Sequence, residues 1–515
     1  MTRGATTTSH ETDQGAVLSF LAGVEPDMRR VDTHASIVFL GKDRVLKVKR
    51  AVRLPFLDYS TREKRKQACD EELRVNTLFA PDLYRRVVPI TLGEAGLAVD
   101  GSGTPVEWAV EMARFDETLG LDRVAATSEV QPALAVALAD TIRRAHDRSA
   151  PAPGGPWLDS IGGIIDRNTA KFRAVNGLPG AAIDRLDAFN HAALVEQTTL
   201  LEARAAAGCV RRCHGDLHLG NIVLIDGKPV MFDAIEFDPI IATTDILYDL
   251  AFPLMDLIHF DQRAAANALF NTYLDAAGEA ARNALVLFPL FLSMRAAIRA
   301  HVLFMKSEQG EGNPSAQSDA KRYFDLAIRL IEREPPCMVA IGGLSGTGKS
   351  ALGRAIAPLL GPPPGARIVR SDVIRKALFD VPETTRLSSS AYEPAVTEKV
   401  YDILMEAARR AAQQGSSVVL DAAFLRSEER AAFAATAPAA VRHIGLFLEA
   451  DRATRLARIN ARTSDASDAT AAIAIAQEAM TEGDLDWPRI EAAGTPAETL
   501  ARCLRLLGKP LPNQA

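Results

Sequence analysis

Cysteine is scarce in this sequence. Its 515 residues include five cysteines, an odd and scattered set that predicts no disulfide framework and favours a reducing compartment. They are Cys69, Cys209, Cys213, Cys337 and Cys503. Residues 1–14 are polar and lack the basic start and the apolar core of a secretory signal, so we expect a cytoplasmic protein.

Long hydrophobic runs and an excess of one charge are also missing. The longest apolar run, 284–294, contains Pro289 and stops at Arg295, well short of the roughly 20 residues that a membrane span needs. It predicts a buried helix and no membrane association. The formal net charge of −6 gives no general attraction to a polyanion, which argues against nucleic acid as a partner.

The length predicts two or three domains, because a single core stops growing at roughly 250 to 300 residues. Ser36–Val48 is typical of two strands about a turn, and further strands and then long helices follow in an α+β order. From Cys337 onward, short buried strands alternate with helices, which is the pattern of a parallel sheet. We therefore predict domains at 1–334 and 335–515.

A polar motif, HGDLHLGN, ends at Asn221 and is followed by MFDAIEF around Asp233. Asp216 and Asn221 are spaced as in the catalytic loop of protein kinases, where the Asp accepts the proton of the acceptor hydroxyl and the Asn binds Mg²⁺. A strand pair between Asn221 and Asp233 would bring the Asp233 carboxylate beside Asn221. Phosphoryl transfer needs such oxygen ligands, because Mg²⁺ must neutralise the charge between phosphates.

Residues upstream extend this pattern. Lys47 stands on the strand RVLKV, where a lysine that pairs with phosphate would lie, and Glu72 lies on a helix from which it could pair with Lys47. Lys49 and Glu71 are the nearest alternatives to these two residues. The sequence thus indicates a lysine and glutamate pair above the polar motif.

The N-terminal domain resembles the aminoglycoside phosphotransferase family, which is similar in fold to protein kinases, through HGDLHLGN and FDAIEF. The resemblance implies ATP as the phosphoryl donor, Asp216 as the catalytic base, and Asn221 and Asp233 as ligands of Mg²⁺. The segment EMARF is interpreted as the connection between two lobes, where backbone groups of Met112 and Ala113 are candidates for hydrogen bonds with adenine.

Some features depart from the kinase pattern or compete with it. Only THAS, at Thr33 to Ser36, stands where a GxGxxG loop would cover the phosphates, and Asp249 is expected to support the catalytic loop structurally. Four residues imitate a zinc cluster: Cys209, Cys213, His214 and His218. Zinc is the weaker interpretation, because His214 already belongs to the kinase motif. An inactive kinase lobe is another alternative, although every acidic and amide group that transfer needs is present.

A second motif is the strongest in the chain. GLSGTGKS satisfies the pattern GxxxxGK[ST], with a buried strand before it and a helix after it. The glycines allow backbone N–H groups to point at phosphates, Lys349 reaches the β and γ groups, and the Ser350 hydroxyl ligates Mg²⁺. The predicted nucleotide-binding residues are Gly343, Ser345, Gly346, Thr347, Gly348, Lys349 and Ser350.

Charged residues that follow other strands complete the second motif. Asp421 ends the strand SVVLD and is expected to hold the Mg²⁺ shell. Asp372 and Arg375 follow the strand RIVR, so Asp372 could activate a hydroxyl as catalytic base while Arg375 binds an anionic group of the acceptor. Three arginines at helical spacing could close over the nucleotide phosphates, with a solvated helix face as the alternative. They are Arg455, Arg458 and Arg462.

Residues 337–515 resemble small P-loop kinases of the gluconate kinase, zeta toxin and polynucleotide kinase kind, through Lys349, Ser350, Asp372 and Arg375 together with Asp421. With both modules, the chain resembles bacterial proteins described as bifunctional aminoglycoside phosphotransferase and ATP-binding proteins, also labelled AAA family ATPases. The SDVIR element favours a kinase over a ring ATPase.

These patterns predict an α+β kinase-like N-terminal domain and an α/β P-loop kinase domain with a parallel sheet. We expect ATP- and Mg²⁺-dependent transfer of the γ-phosphate to hydroxyl groups of small-molecule acceptors at two sites. One alternative is an ATP-binding regulatory protein in which one site is a nucleotide switch. The other is a kinase of nucleic-acid 5′ ends that acts through the P-loop domain, against which the net acidity counts.

Overall fold

The computed structural model describes residues 11–54, 57–308, 316–461, 467–468, 470–480 and 485–510. The elements of the N-terminal part are α1 (Glu11–Ala22), β1 (Arg29–Asp32), β2 (Ser36–Leu40), β3 (Arg44–Lys49), β4 (Arg53–Leu54), β5 (Leu57–Asp58), α2 (Arg62–Asn76), β6 (Tyr84–Gly93), β7 (Gly96–Val99) and β8 (Thr104–Ala113). Six of these strands form an antiparallel sheet in the order β1-β2-β3-β8-β6-β7. The predicted strand pair at Ser36–Val48 is present as β2 and β3.

A helix covers each face of this sheet, because side chains alternate between the faces along a strand. Leu46 of β3 packs in a cluster with Leu21 of α1. Val45, its neighbour in the sequence, packs on the opposite side with Cys69 of α2. Lys47 therefore belongs to the face that α2 covers.

Helices dominate the next part of the chain, interrupted by short strands. The first elements are α3 (Leu121–Thr127), α4 (Pro132–Arg148), α5 (Gly155–Ala174), α6 (Gly180–Glu196), α7 (Thr198–Ala206), β9 (Val210–Arg212), β10 (Ile222–Ile225) and β11 (Lys228–Met231). They are followed by α8 (Pro239–Ala242), β12 (Thr243–Asp245), α9 (Ile246–His259), α10 (Arg263–Ala276), α11 (Glu279–Arg282), α12 (Phe288–Glu308) and α13 (Ala316–Leu330). Strands β10 and β11 form a hairpin, and β9 pairs with β12.

The predicted buried helix is α12. Among the described residues, Leu285–Glu308 is the one stretch that is long and apolar enough to cross a membrane. Most of its apolar part is buried inside the protein, as is usual for a core helix. Length and composition by themselves are weak evidence for a membrane span.

The C-terminal part is an α/β fold around a parallel sheet. Its elements are β13 (Cys337–Gly343), α14 (Lys349–Ile356), β14 (Arg367–Arg370), α15 (Ser371–Leu378), α16 (Pro394–Gln413), β15 (Val418–Asp421), α17 (Ser427–Thr436), β16 (Arg442–Glu449), α18 (Arg452–Asn460), α19 (Ala471–Ala476), β17 (Arg489–Glu491) and α20 (Pro496–Leu507). The five strands are parallel and lie in the order β14-β15-β13-β16-β17. Four of the five strands were predicted. The three residues of β17 are too few to show the alternation from which a strand is predicted.

The chain divides into two compact units. One comprises Met1–Val130, Asp140–Asp166 and Leu194–Asp256, and the other comprises Gln131–Ala139, Arg167–Ala193 and Leu257–Ala515. Helix α10 thus belongs to the same unit as the parallel sheet. Within it, the Ile368 N–H of edge strand β14 donates to Asn271 Oδ1 of α10 at 2.8 Å. The domain boundary between 334 and 335 stays a prediction.

Candidate active sites

The first site, called the kinase-like site, is built around Lys47 of β3. Its Nζ atom lies 2.7 Å from Glu72 Oε1 of α2 and 2.5 Å from Asp233 Oδ1. These residues are far apart in the sequence and meet because α2 packs on the face of the sheet that carries Lys47. The predicted pair of Lys47 and Glu72 is present, and Asp233 joins it.

The two alternatives for this pair take different positions. Glu71 pairs with Arg74 at 2.5 Å on the exposed side of α2, which excludes it as the partner of Lys47. Lys49 Nζ lies 2.6 Å from Glu72 Oε2, the second oxygen of the same carboxylate. Glu72 is therefore shared by two lysines rather than paired with one.

Burial and pairing have opposite effects on the charges of this cluster. Burial disfavours the charged form of Lys47, but Asp233 and Glu72 outweigh it and raise the Lys47 pKa well above its usual range. Partial burial likewise opposes ionisation of Asp233, yet the adjacent Lys47 lowers the pKa of that carboxyl. The pKa of Glu72 is also lowered, since two lysines offset its burial. All three groups are therefore charged at neutral pH.

The predicted base Asp216 and the predicted ligand Asn221 lie in the loop before β10. Asn221 Nδ2 donates to the backbone carbonyl of Asp216 at 2.9 Å and lies 3.3 Å from Asp216 Oδ2. Across the β10–β11 hairpin, the Phe232 N–H donates to the Asn221 carbonyl at 2.9 Å. The hairpin thus brings Asp233, the next residue, beside Asn221, as the sequence predicted.

Asp249 of α9 supports the backbone of this loop. Its buried carboxylate accepts hydrogen bonds from the N–H groups of Gly215 at 2.9 Å and His214 at 3.3 Å. His146 Nε2 lies 3.2 Å from the same carboxylate. These contacts fix the loop just before Asp216, which agrees with the structural role expected for Asp249.

The four residues that suggested a zinc cluster do not come together. Among the described residues, no group of ligand atoms close enough to share a metal ion joins Cys213 to Cys209, His214 or His218. The residues that approach Cys213 are instead His146 and Asp249, with the three ligand atoms within 4.8 Å of one another. The Asp249 oxygens already accept two backbone hydrogen bonds. This buried trio therefore braces the loop.

The predicted adenine contacts lie at the end of β8. Met112 is buried, and the Ala113 N–H donates to the Leu83 carbonyl at 2.8 Å. The prediction for the Ala113 amide is therefore corrected, because this donor is occupied within the fold. The segment THAS, which stands where a GxGxxG loop would cover the phosphates, forms a tight turn. In it, the Thr33 N–H and hydroxyl both donate to the Ser36 carbonyl.

The second site, called the P-loop site, lies where β13 enters α14. Gly343, Gly346 and Gly348 have φ angles of 135°, 87° and 99°, a region that residues with a Cβ rarely adopt. At Gly346 there is also no room, since a Cβ would lie 2.5 Å from the Arg455 carbonyl oxygen. The glycine spacing of the motif thus has a steric reason.

Side chains with phosphate- and metal-binding chemistry lie in the first turn of α14. Lys349 Nζ donates to the Gly343 carbonyl at 2.8 Å. Arg370 Nη2 donates to the Ser350 hydroxyl at 3.2 Å, and Arg370 Nε donates to Asp421 Oδ2 at 3.3 Å. A guanidinium cation thus spans Ser350 and Asp421, the two oxygen ligands that the sequence predicted.

Asp372 and Arg375 line a cavity of about 750 Å³ together with Asp421 and the P-loop. Burial and the neighbouring Asp421 raise the pKa of Asp372. Arg375 is buried, donates to the Ala391 carbonyl at 2.6 Å and lies 4.7 Å from the ring centroid of Tyr392. One cavity therefore combines a carboxylate of raised basicity, a fixed guanidinium and the phosphate-binding loop.

Two residues of the motif shape the loop from inside. The Thr347 hydroxyl donates to the Leu344 carbonyl at 2.8 Å, and the Gly343 N–H donates to the Ala423 carbonyl at 3.0 Å. Neither Thr347 nor Gly343 lines the cavity, and their contact with nucleotide stays a prediction. The motif residues that line it are Ser345, Gly346, Gly348, Lys349 and Ser350.

The three arginines expected to close over phosphates do not share one role. Arg458 lines the cavity, and its Nη1 donates to the Thr347 carbonyl at 3.3 Å. Arg455 is buried, pairs with Glu478 and is not part of the cavity lining. Its predicted contact with nucleotide is therefore corrected to a brace of the loop. Arg462 lies outside the described residues.

Sequence reasoning missed three residues of these sites. Arg370 directly precedes the SDVIR element, and its position at the end of a strand was the available signal. Gln477 Oε1 accepts a hydrogen bond from the Ser345 N–H at 2.9 Å, which nothing in the local pattern indicates. Glu236 stands inside FDAIEF and pairs with Lys49, and nothing in the motif indicated that lysine as its partner.

Comparisons with known proteins assign both parts of the chain. The profile of the phosphotransferase enzyme family matches residues 23–285, and that of an AAA domain matches residues 338–483. The uncharacterized protein Rv2004c of Mycobacterium tuberculosis is 31% identical over 486 residues, which cover 91% of this chain and 93% of that protein. The uncharacterized protein Mb2027c of Mycobacterium bovis matches to the same extent.

Several solved structures are similar to parts of the chain. A gluconokinase from Sinorhizobium meliloti 1021 is 23% identical and covers 34% of this chain and 98% of its own, with a TM-score of 0.24. A choline/ethanolamine kinase family protein from Mesorhizobium loti is 16% identical and covers 62% and 95%, with a TM-score of 0.38. The GDP complex of aminoglycoside 2′-phosphotransferase-IIIa is 11% identical and covers 61% and 99%, with a TM-score of 0.36.

Proposed function

We propose, because this chain belongs to the phosphotransferase enzyme family, that it transfers the γ-phosphate of ATP to hydroxyl groups of small-molecule acceptors at two separate sites. The kinase activity and the P-loop module follow from the matched families. The finer proposal, two Mg²⁺-dependent sites, rests on one observation. Each site has its own lysine, its own carboxylate able to take a proton, and its own oxygen ligands for a metal.

At the kinase-like site, the residues divide the work between position and charge. Lys47 is held by Glu72 and Asp233 and would bind the phosphates of ATP. The Asp216 side chain is 41% exposed, so an acceptor hydroxyl can reach it and give it a proton. Asn221 and Asp233 would complete the site as metal ligands.

Both sites fit Mg²⁺ by the chemistry of their donors. Carboxylate, amide and hydroxyl oxygens are the ligands that this hard cation prefers. At the P-loop site, the guanidinium of Arg370 already spans Ser350 and Asp421, which means that these two oxygens favour a positive charge between them. At the kinase-like site, Asp233 keeps its charge because its pKa is lowered by Lys47 against the effect of burial. When bound, Mg²⁺ would neutralise charge on the transferring phosphate.

At the P-loop site, the acceptor would carry an anionic group in addition to its hydroxyl. Arg375 is fixed in the cavity by Ala391 and Tyr392 and can bind that group through its guanidinium. Asp372 would take the hydroxyl proton, a step that its raised pKa favours. Lys349 and the backbone of the loop would hold the β- and γ-phosphates.

The test is incubation of the purified full-length protein with γ-labelled ATP and an extract of cell metabolites. We expect two sets of labelled small molecules, one that disappears with Asp216→Asn and one that disappears with Lys349→Ala. Asp226→Asn is a matched control, since Asp226 is exposed at the turn of the β10–β11 hairpin and lies outside the site.

Two outcomes would contradict the proposal. If neither variant changes the labelled products, a nucleotide switch replaces the two-site phosphotransferase. If label passes from ATP to oligonucleotides and Lys349→Ala abolishes it, the P-loop site is a nucleic-acid kinase instead.

A further inference from the structure

A second lysine and a second carboxylate extend the pair at the kinase-like site. Lys49 is buried, with its Nζ at 2.6 Å from Glu72 Oε2, and it also pairs with Glu236. Five charged groups thus form one chain of contacts, called here the charge chain: Asp233, Lys47, Glu72, Lys49 and Glu236. Its two ends, Asp233 and Glu236, lie on the same short segment after β11.

A side chain of helix α2 also binds the backbone of that segment. Asn76 Oδ1 accepts a hydrogen bond from the Ala234 N–H at 2.7 Å, and Asn76 Nδ2 donates to the Ala234 carbonyl at 3.3 Å. The Asp233 N–H donates to the Tyr84 hydroxyl at 3.1 Å. The segment 233–236 is therefore fastened at its middle by Asn76 and at both ends by the charge chain.

The Lys49 and Glu236 end of the charge chain is more deeply buried than the Asp233 end. The side chains of Lys49 and Glu236 are 2% and 9% exposed, whereas that of Asp233 is 45% exposed. Lys49 and Glu236 lie too deep to touch a nucleotide, so they can act on it only through Glu72 and the segment that carries Asp233. Gln14 of α1 donates to the Lys49 carbonyl at 2.9 Å and fixes the strand behind it.

We infer that Lys49 and Glu236 are positioning residues that hold Asp233 and Lys47 in the geometry for binding metal and nucleotide. The inference rests on the proposed function of the kinase-like site. Without Lys49, the segment would be held to α2 by Asn76 and, at the Asp233 end, through Lys47. Lys49 ties the Glu236 end to the same Glu72 carboxylate, so a displacement of either end breaks an ion pair.

The experiment measures binding of Mn²⁺ with a non-hydrolysable ATP analogue to the full-length protein. Every sample carries Lys349→Ala, which removes nucleotide binding at the P-loop site. The part of the remaining Mn²⁺ signal that Asp233→Asn abolishes is the signal of the kinase-like site. We expect Lys49→Met/Glu236→Leu to raise the dissociation constant about tenfold and to change the electron paramagnetic resonance spectrum of the bound Mn²⁺. Because this double variant removes both partners, it should stay folded where Lys49→Met alone does not.

Two further variants separate positioning from stability. Glu236→Gln keeps the shape of the side chain and should give a smaller increase in the dissociation constant. Ile90→Ala removes a buried side chain from the apolar cluster on the other face of the same sheet and should lower the thermal midpoint without changing the dissociation constant or the spectrum.

An unchanged dissociation constant and spectrum in Lys49→Met/Glu236→Leu would overturn the inference and leave the proposed function intact. An equal loss of affinity in Ile90→Ala would also overturn it, because the effect would then come from general stability. If the Lys349→Ala protein shows no Mn²⁺-nucleotide binding that Asp233→Asn removes, the proposed function of this site fails together with the inference.

Discussion

The kinase-like site and the P-loop site hold charge by different means. Lys47 and Asp233 are in contact across 186 residues of sequence, and two further buried pairs support them. Lys349 instead donates to carbonyls five and six residues away, within its own loop. The first site therefore depends on the packing of a sheet, a helix and a hairpin, whereas the second depends on the backbone of one short segment.

This difference predicts where each site is vulnerable. Removing one partner of a buried charge pair leaves an uncompensated charge, so the kinase-like site is sensitive to side chains that never touch the nucleotide. In the P-loop site, φ angles and close backbone contacts leave room only for glycine, so it is sensitive to the addition of a single methyl group.

The largest effect should come from Asp216→Asn. Loss of the general base should reduce transfer at the kinase-like site about 10³-fold, because such groups contribute 10²- to 10⁴-fold in rate. Transfer at the P-loop site should be unchanged. Separate rates for the two sets of labelled products measure this, and an equal loss of both sets would show that the sites are not independent.

The next effect should come from Lys349→Met. It removes the cation that binds the β- and γ-phosphates and should reduce transfer at the P-loop site on the order of 10²-fold. Nucleotide binding at the kinase-like site should stay within error of the unmodified protein. The same labelled-product assay measures it, with Lys399→Met on the exposed side of α16 as a control.

Gly346→Ala should have a smaller effect, limited to the P-loop site. Its Cβ would lie 2.5 Å from the Arg455 carbonyl oxygen at a φ of 87°, and such strain costs about 1 to 3 kcal/mol. We expect nucleotide affinity there to fall roughly tenfold, measured by calorimetry with Asp233→Asn present to remove binding at the kinase-like site. Gly415→Ala is the control, because its φ is 80° but nothing lies within 4 Å of the added Cβ. A similar loss of affinity in both variants would contradict the steric argument.

The smallest expected effect is a difference in pH dependence. Burial and Asp421 raise the pKa of Asp372, so this base takes up a proton at a higher pH than an ordinary Asp. Lys47 lowers the pKa of Asp233 against the opposing effect of partial burial, so that carboxylate stays ionised at a lower pH. Acidification should therefore stop transfer at the P-loop site first. Rates of the Asp216→Asn and Lys349→Met proteins across pH measure this, and the reverse order would contradict it.

Much of the fold followed from local patterns. Alternation along β2 and β3 predicted that strand pair near its observed bounds, and the strand before the P-loop and the helix after it were also predicted. The three residues of β17 were not, because a strand of that length carries no period. The helical spacing of Arg455 and Arg458 was right, yet their roles differ, since spacing does not say which of them faces the cavity.

The sequence by itself determined both phosphate-handling motifs and the hairpin that places Asp233 beside Asn221, because each is encoded within a few residues. Tertiary structure decided which lysine and which glutamate pair. It gave Lys49 and Glu236 a place behind the kinase-like site and put Arg370 between Ser350 and Asp421. The physical reason is that buried charges must find partners wherever packing brings them, and packing joins residues whose distance along the chain leaves no local pattern.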